Sequence, residues 1–203
     1  MSGFVVNVSA FDDRDKEGGF YRDYFPRAEA YHTTNFDSDK KGLMGEEDIY
    51  LDLEARLPGE LSRQYDCVFN HTTLEHIYDI KTAFANLCEL SRDIVVVVVP
   101  FLQEEHGFYG DYWRVTPSTV NRMFAENGFS TVYLSASDAR GAAVYVFAVG
   151  RRGRRGILSD HNNILSESAS QSRLPYVGLH AISNGVLRTI VIKARTLISM
   201  LIK

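Results

Sequence analysis

Six consecutive β-branched residues, Ile94 to Val99, constrain this 203-residue chain more than any other feature. A run without polar alternation reads as a strand buried on both faces, typically the centre of a parallel sheet. A second strand signal, Asp66 to Asn70, precedes it. Each is followed by a cluster of polar, proton-handling residues. The first leads into Asn70, His71, Glu75 and His76, and the second into His106, Asp111 and Arg114. Ligands of open α/β sheets lie outside the carboxyl ends of the strands, so these clusters mark where a site belongs.

The remaining pattern fits such a sheet. Phe4–Val8, Ala28–Phe36 and Asp48–Leu53 read as three earlier strands, with a short helix over Phe20–Phe25 stopped by Pro26 and a polar loop over 38–47. Ile80–Ser91 carries Ala83, Phe84, Leu87, Cys88 and Leu90 at helical spacing. Thr116 and Pro117 suit the cap and first position of another helix, which runs to Glu126 and stops at Asn127-Gly128. Thr131–Ser135 and Ala142–Val149 close the series as two strands joined by a short link. The alternation predicts an α/β layered fold with a mainly parallel sheet and one antiparallel edge strand. Repeats and nucleic-acid motifs are absent from the sequence, so no nucleic-acid partner is expected.

Charge divides the chain. Residues 1–150 carry 13 basic and 24 acidic side chains, and residues 151–203 carry nine and two, for a total of −4. This predicts an acidic domain over 1–150, a basic and polar linker over 151–180, and an amphipathic helix over 181–203. Along that helix Ile182, Val186, Leu187, Ile190, Val191, Leu197, Ile198 and Leu201 share one side, with Arg188, Arg195 and Lys203 opposite. Such a helix suits an anionic membrane surface or a partner protein, and charge interrupts it too often for a bilayer span. The N-terminus lacks a basic region followed by an apolar one, so a cytoplasmic location is expected, peripheral to the inner face of the membrane if the helix docks there. The two cysteines, Cys67 and Cys88, fall within a strand and a helix and read as buried thiols. His71 and His76 are five apart, not the three or four that set two ligands on one helix face, and no calcium-type loop occurs, so no metal is expected.

The segment from Tyr65 to Gly128 resembles class I S-adenosylmethionine (SAM)-dependent methyltransferases of the kind called type 11. The resemblance rests on Leu74-Glu75-His76, on Pro100-Phe101, on His106, Asp111 and Arg114 before Thr116-Pro117, and on Asn127-Gly128-Phe129. It extends over residues 3–150 and is specific over 65–129. It implies SAM as cofactor and a relationship to methyltransferase-like proteins of surface-polysaccharide gene clusters, with a sugar or glycan hydroxyl as acceptor. It also implies roles. Asn35 or Asp37 would take the ribose hydroxyls, Asp52 the adenine amino group and the Leu53 backbone the ring, while Asn70 and His71 would lie by the methionine part. His76 or His106 would be the general base, with Asp111 and Arg114 in the acceptor loop among Phe108, Tyr109, Tyr112 and Trp113. The alternatives are structural: Asp37 and Asp52 as surface carboxylates, Glu75 as a helix cap, and Asp111–Arg114 as a lid salt bridge. The first-strand loop departs from the family. Asn7-Val8-Ser9-Ala10-Phe11-Asp12-Asp13 stands where a Gly-rich motif is usual. Asn7 and small Ser9 would line the cofactor, whereas bulky Phe11 is expected to obstruct it. A chain that had lost the loop would instead be a non-catalytic scaffold recruiting a partner to the membrane.

Overall fold

A computed structural model of the chain describes residues 3–15, 17–36, 49–106, 110–136 and 145–153. Asp37, Phe108, Tyr109, the linker beyond Gly153 and the 181–203 segment lie outside the described residues. The valine run sits in β5 (Ser91–Pro100), flanked by β4 (Tyr65–His71) on one side and β7 (Tyr145–Arg152) on the other. Val95, Val97 and Val99 face one way, packing with α1 (Ile80–Leu90) and α2 (Pro117–Glu126). Val96 and Val98 face the other way, in a smaller cluster with Val5, Cys67 and Phe69 that Tyr21 and Phe25 cover. Both faces are therefore dry, as the unbroken apolar run requires.

The sheet has seven strands in the order β3-β2-β1-β4-β5-β7-β6, with β1 at Gly3–Val8, β2 at Ala28–Asn35, β3 at Ile49–Tyr50 and β6 at Phe129–Ala136. All contacts from β3 to β5 are parallel. The single antiparallel strand expected at this side is β7, which enters between β5 and the edge strand β6. Chain order reverses at β1 and β4, so a crevice opens beyond Val8 and Asn70, which are register partners.

Local signals explain the helices. Asp79 caps α1 by accepting from the Thr82 N–H, and Thr116 caps α2 by accepting from the Thr119 N–H. Gly128 ends α2 with φ of 75°, a conformation that favours glycine. Phe84 of α1 meets Phe124 of α2 edge to face, with centroids 4.9 Å apart. A Cβ on Gly150 of β7 would stand 2.4 Å from the Phe124 ring, so this glycine lets α2 lie close against the sheet.

Two elements are shorter than the sequence pattern suggests. Phe20–Phe25 forms one 3-10 turn, Tyr21–Tyr24. Among the described residues the third strand keeps Ile49–Tyr50 in register, and the chain turns once the Leu51 N–H has donated to Asn35 C=O. Among the described residues no helix is long and apolar enough to cross a membrane.

Candidate functional site

The loop after β1 takes the backbone form of a glycine loop without glycines. Ser9, Phe11 and Asp13 all have positive φ, at 57°, 52° and 59°. Each costs about 1–2 kcal/mol in this region, so the loop has to be held. Phe11 donates its N–H to Asn35 Oδ1 at 2.7 Å and accepts from Asn35 Nδ2 at 3.1 Å. Ser9 donates its N–H to Thr34 Oγ1 and Ala10 to Thr34 C=O. The buried Asp13 carboxylate gathers the rest. It accepts from Asn7 Nδ2 at 2.9 Å, from the Tyr31 hydroxyl at 2.6 Å and from Arg22 Nε at 3.0 Å. Burial, then the bond to Asp13, push the Tyr31 phenol well above its ordinary value. The Phe11 ring is 62% exposed, so it is not packed into the core.

The residues predicted for a nucleoside are thus spread over different tasks. Asn7 and Asn35 spend their amides on the loop. Asp52 follows β3 and accepts from the Glu54 N–H at 2.8 Å in a local turn. Leu53 is core, its carbonyl accepting from Asn86 Nδ2. Asn70 is fully buried at the crevice floor. Its Nδ2 donates to Val8 C=O at 2.9 Å, and its Oδ1 has no hydrogen-bond partner among the described residues. His71 is half-buried, its Nδ1 2.8 Å from Thr72 Oγ1 and its ring 5.3 Å from that of Tyr21.

The loops after β4 and β5 come together beside this crevice. Tyr112 donates its N–H to Glu75 C=O at 2.7 Å, and Gly110 C=O accepts from His76 Nδ1 at 2.5 Å. His76 and His106, thirty residues apart in sequence, meet edge to face with ring centroids 5.1 Å apart. His106 is fixed by Asp111 Oδ2, which accepts its N–H at 2.8 Å and lies 3.1 Å from its Nδ1. Arg114 grips Asp111 through both terminal nitrogens, at 2.5 and 2.7 Å, and donates Nε to Gln103 C=O. These bonds, led by Arg114, hold the Asp111 carboxyl well below the usual carboxylate range. The Asp111 side chain is 1% exposed, against 36% for that of His106. The structure thus brings His76, His106, Asp111 and Arg114 together.

Glu75 stands between them. It is wholly buried, neither oxygen has a hydrogen-bond partner among the described residues, and Oε1 lies 3.9 Å from His76 Nε2. Burial pushes its carboxyl up to about 7. An exposed aromatic shelf borders the cluster: Tyr78 and Tyr112 contact at 5.4 Å, and Trp113 donates Nε1 to Ile77 C=O. Asp13 and the Gly110 carbonyl escape a reading of the sequence. Nothing local separates Asp13 from Asp12 or Asp15, and a backbone acceptor leaves no sequence mark.

No family model matches the chain, and no curated protein matches it. Its likeness is to solved structures. One is a Haloferax volcanii complex between the Trm112 methyltransferase activator and a provisionally named methyltransferase. It has a TM-score of 0.54 at 12% identity, over 74% of this chain and 83% of that one. Another is the Burkholderia thailandensis 1,6-didemethyltoxoflavin-N1-methyltransferase, solved with 1,6-didemethyltoxoflavin and S-adenosylhomocysteine. Its TM-score is 0.52 at 13% identity, over 74% and 71% of the two chains. A SAM-dependent methyltransferase from Aquifex aeolicus gives 0.50 at 10% identity, over 74% and 82%. The architecture is that of the Rossmann-like methyltransferases.

Proposed function

We propose that this chain is a SAM-dependent methyltransferase acting on a hydroxyl of a sugar or polysaccharide precursor. The observation that carries the reading is the Arg114–Asp111–His106 relay beside the crevice, with one exposed imidazole at its end. The crevice suits the cofactor on two counts. Asn70 Oδ1 is a buried acceptor without a hydrogen-bond partner among the described residues, suited to the methionine ammonium, and the Phe11 ring is not packed into the core. Ser9 and Ala10 would approach the cofactor through their backbone, and Asp52 and His71 would border it. When bound, SAM supplies a methyl group already activated on its sulfonium, so an acceptor oxygen needs alignment and loss of its proton. His106 takes that proton. The Asp111 carboxylate, 3.1 Å from His106 Nδ1, would stabilise the imidazolium that results. The Tyr78–Tyr112 shelf offers ring faces to the C–H face of a sugar.

The basic 181–203 segment would keep the enzyme at the cytoplasmic face of an anionic membrane or on a partner protein. Flotation of the full chain with anionic liposomes, and loss of flotation on removing residues 181–203, would support this; equal flotation of both would refute it. One observation favours a second reading, the non-catalytic scaffold: Asn35 is committed to Phe11 at both ends of its amide, which withdraws an acceptor from the tip of β2. Calorimetry with SAM and S-adenosylhomocysteine separates the two. Micromolar binding is expected; no heat and no thermal shift at millimolar ligand would leave the scaffold.

A further inference from the structure

We propose that Glu75, His76 and His106 form a site for one divalent transition-metal ion of the zinc class. One ligand atom from each residue lies within 4.8 Å of the other two. Donors on a shared zinc ion, at about 2.0–2.2 Å from it, stand roughly 3.3–3.6 Å apart. Small side-chain rotations therefore close the set around a cation, and Glu75 Oε1 already stands 3.9 Å from His76 Nε2.

Two further observations point to a ligand. The first is the Glu75 carboxyl: it has no solvent exposure, and neither oxygen has a hydrogen-bond partner among the described residues. A buried carboxylate in that condition is costly, and a coordinated cation removes the cost. The second is the fixing of both rings from behind. His76 Nδ1 donates to Gly110 C=O. His106 Nδ1 lies 3.3 Å from Glu104 C=O and 3.1 Å from the Asp111 carboxylate, which Arg114 clamps in turn, and Gln103 Nε2 stands 3.5 Å from its Nε2. A carbonyl or carboxylate on one ring nitrogen sets the tautomer and turns the other nitrogen towards a metal, the usual support of metal-bound histidine.

The donor set selects the ion. Two imidazoles and one carboxylate suit zinc and its neighbours, whereas magnesium and calcium prefer all-oxygen shells. Three protein ligands leave a fourth position for a hydroxyl or water, and an ion there lowers the pKa of the group it binds. The site lies beside the aromatic shelf, so the ion would take over from the free His106 imidazole the task of easing the proton off an acceptor hydroxyl. The spacing of His71 and His76 gives no hint of it, because the third ligand arrives on a different loop.

The site does not depend on the methyl donor, so its test needs none. The full chain, stripped with chelator, is titrated with Co2+ and followed by visible absorbance, then challenged with Zn2+. The expected result is one equivalent of Co2+ with the intense bands of a four-coordinate site, displaced by Zn2+. Glu75→Gln, which keeps the side-chain shape, and His106→Ala, at a partly exposed position, should each weaken binding at least tenfold with unchanged far-ultraviolet circular dichroism. If Glu75→Gln does not fold, His106→Ala decides. Absent bands in the wild-type protein, or a folded variant that binds as tightly, would overturn the site. SAM calorimetry on the same samples separates the failures: metal without SAM binding removes only the methyl donor, and SAM without metal binding removes only this site.

Discussion

Two loop systems border the crevice, and they are built on opposite terms. The loop after β1 is internally bonded: Asn7, Thr34, Asn35, Tyr31 and Arg22 all direct their polar atoms at it. Across the crevice, the loops after β4 and β5 are rigid at the back and open at the front. Arg114 and Asp111 are fully engaged, yet Glu75, Asn70 and Gln103 keep buried acceptor oxygens without hydrogen-bond partners among the described residues. Buried acceptors of that kind are rare in native proteins and mark places where something else completes the bonding. One wall is therefore closed by its own bonds, and the other keeps acceptors that its own residues do not fill.

The contrast can be broken on either side. Arg114→Ala should have the largest effect, because it leaves the buried Asp111 carboxylate unpaired; a loss of about 3–5 kcal/mol is expected in urea unfolding. Asp13→Ala comes next. It strands the Asn7 amide and the Tyr31 hydroxyl, and about 2–4 kcal/mol should be lost, with the Tyr31 phenol falling towards its ordinary value in an ultraviolet pH titration. Phe11→Gly sharpens the comparison by giving the loop the residue its backbone favours. Relief of the positive-φ cost, offset by the entropy of glycine, should raise stability by about 0.5–1 kcal/mol; a fall in melting temperature would mean that the Phe11 ring contributes something its exposure does not suggest. The smallest effect should be none. Cys67 and Cys88 are buried, one in each core cluster, with burial pushing each thiol up to about 12. Neither should react with an alkylating reagent at pH 8 in the native protein, while both react in denaturant.

The sequence is most legible where local rules decide. The Ile94–Val99 run, the Thr116-Pro117 start and the Asn127-Gly128 stop all land within three residues of the observed elements. Legibility fails where tertiary contacts decide. Of the strand expected over Asp48–Leu53, the described residues pair at Ile49–Tyr50 and no further, because the partner β2 ends at Asn35. Phe11, read as an obstruction, has a ring that is 62% exposed and a backbone held by Asn35, a bond that no local signal marks. The meeting of His76 with His106 follows from the parallel pairing of β4 and β5, which sets their two exit loops side by side. Each histidine is visible in the sequence, but the burial of Glu75 between them is not.

The double bond from Asn35 to Phe11 has a kinetic consequence. A side-chain amide that grips both the N–H and the C=O of one residue acts as a latch with two teeth. It cannot slip by degrees, because losing one bond leaves the other poorly aligned. A visitor needing more room on this wall must wait for both to let go together. Such a visitor would be recognised by slow arrival and not by weak final affinity.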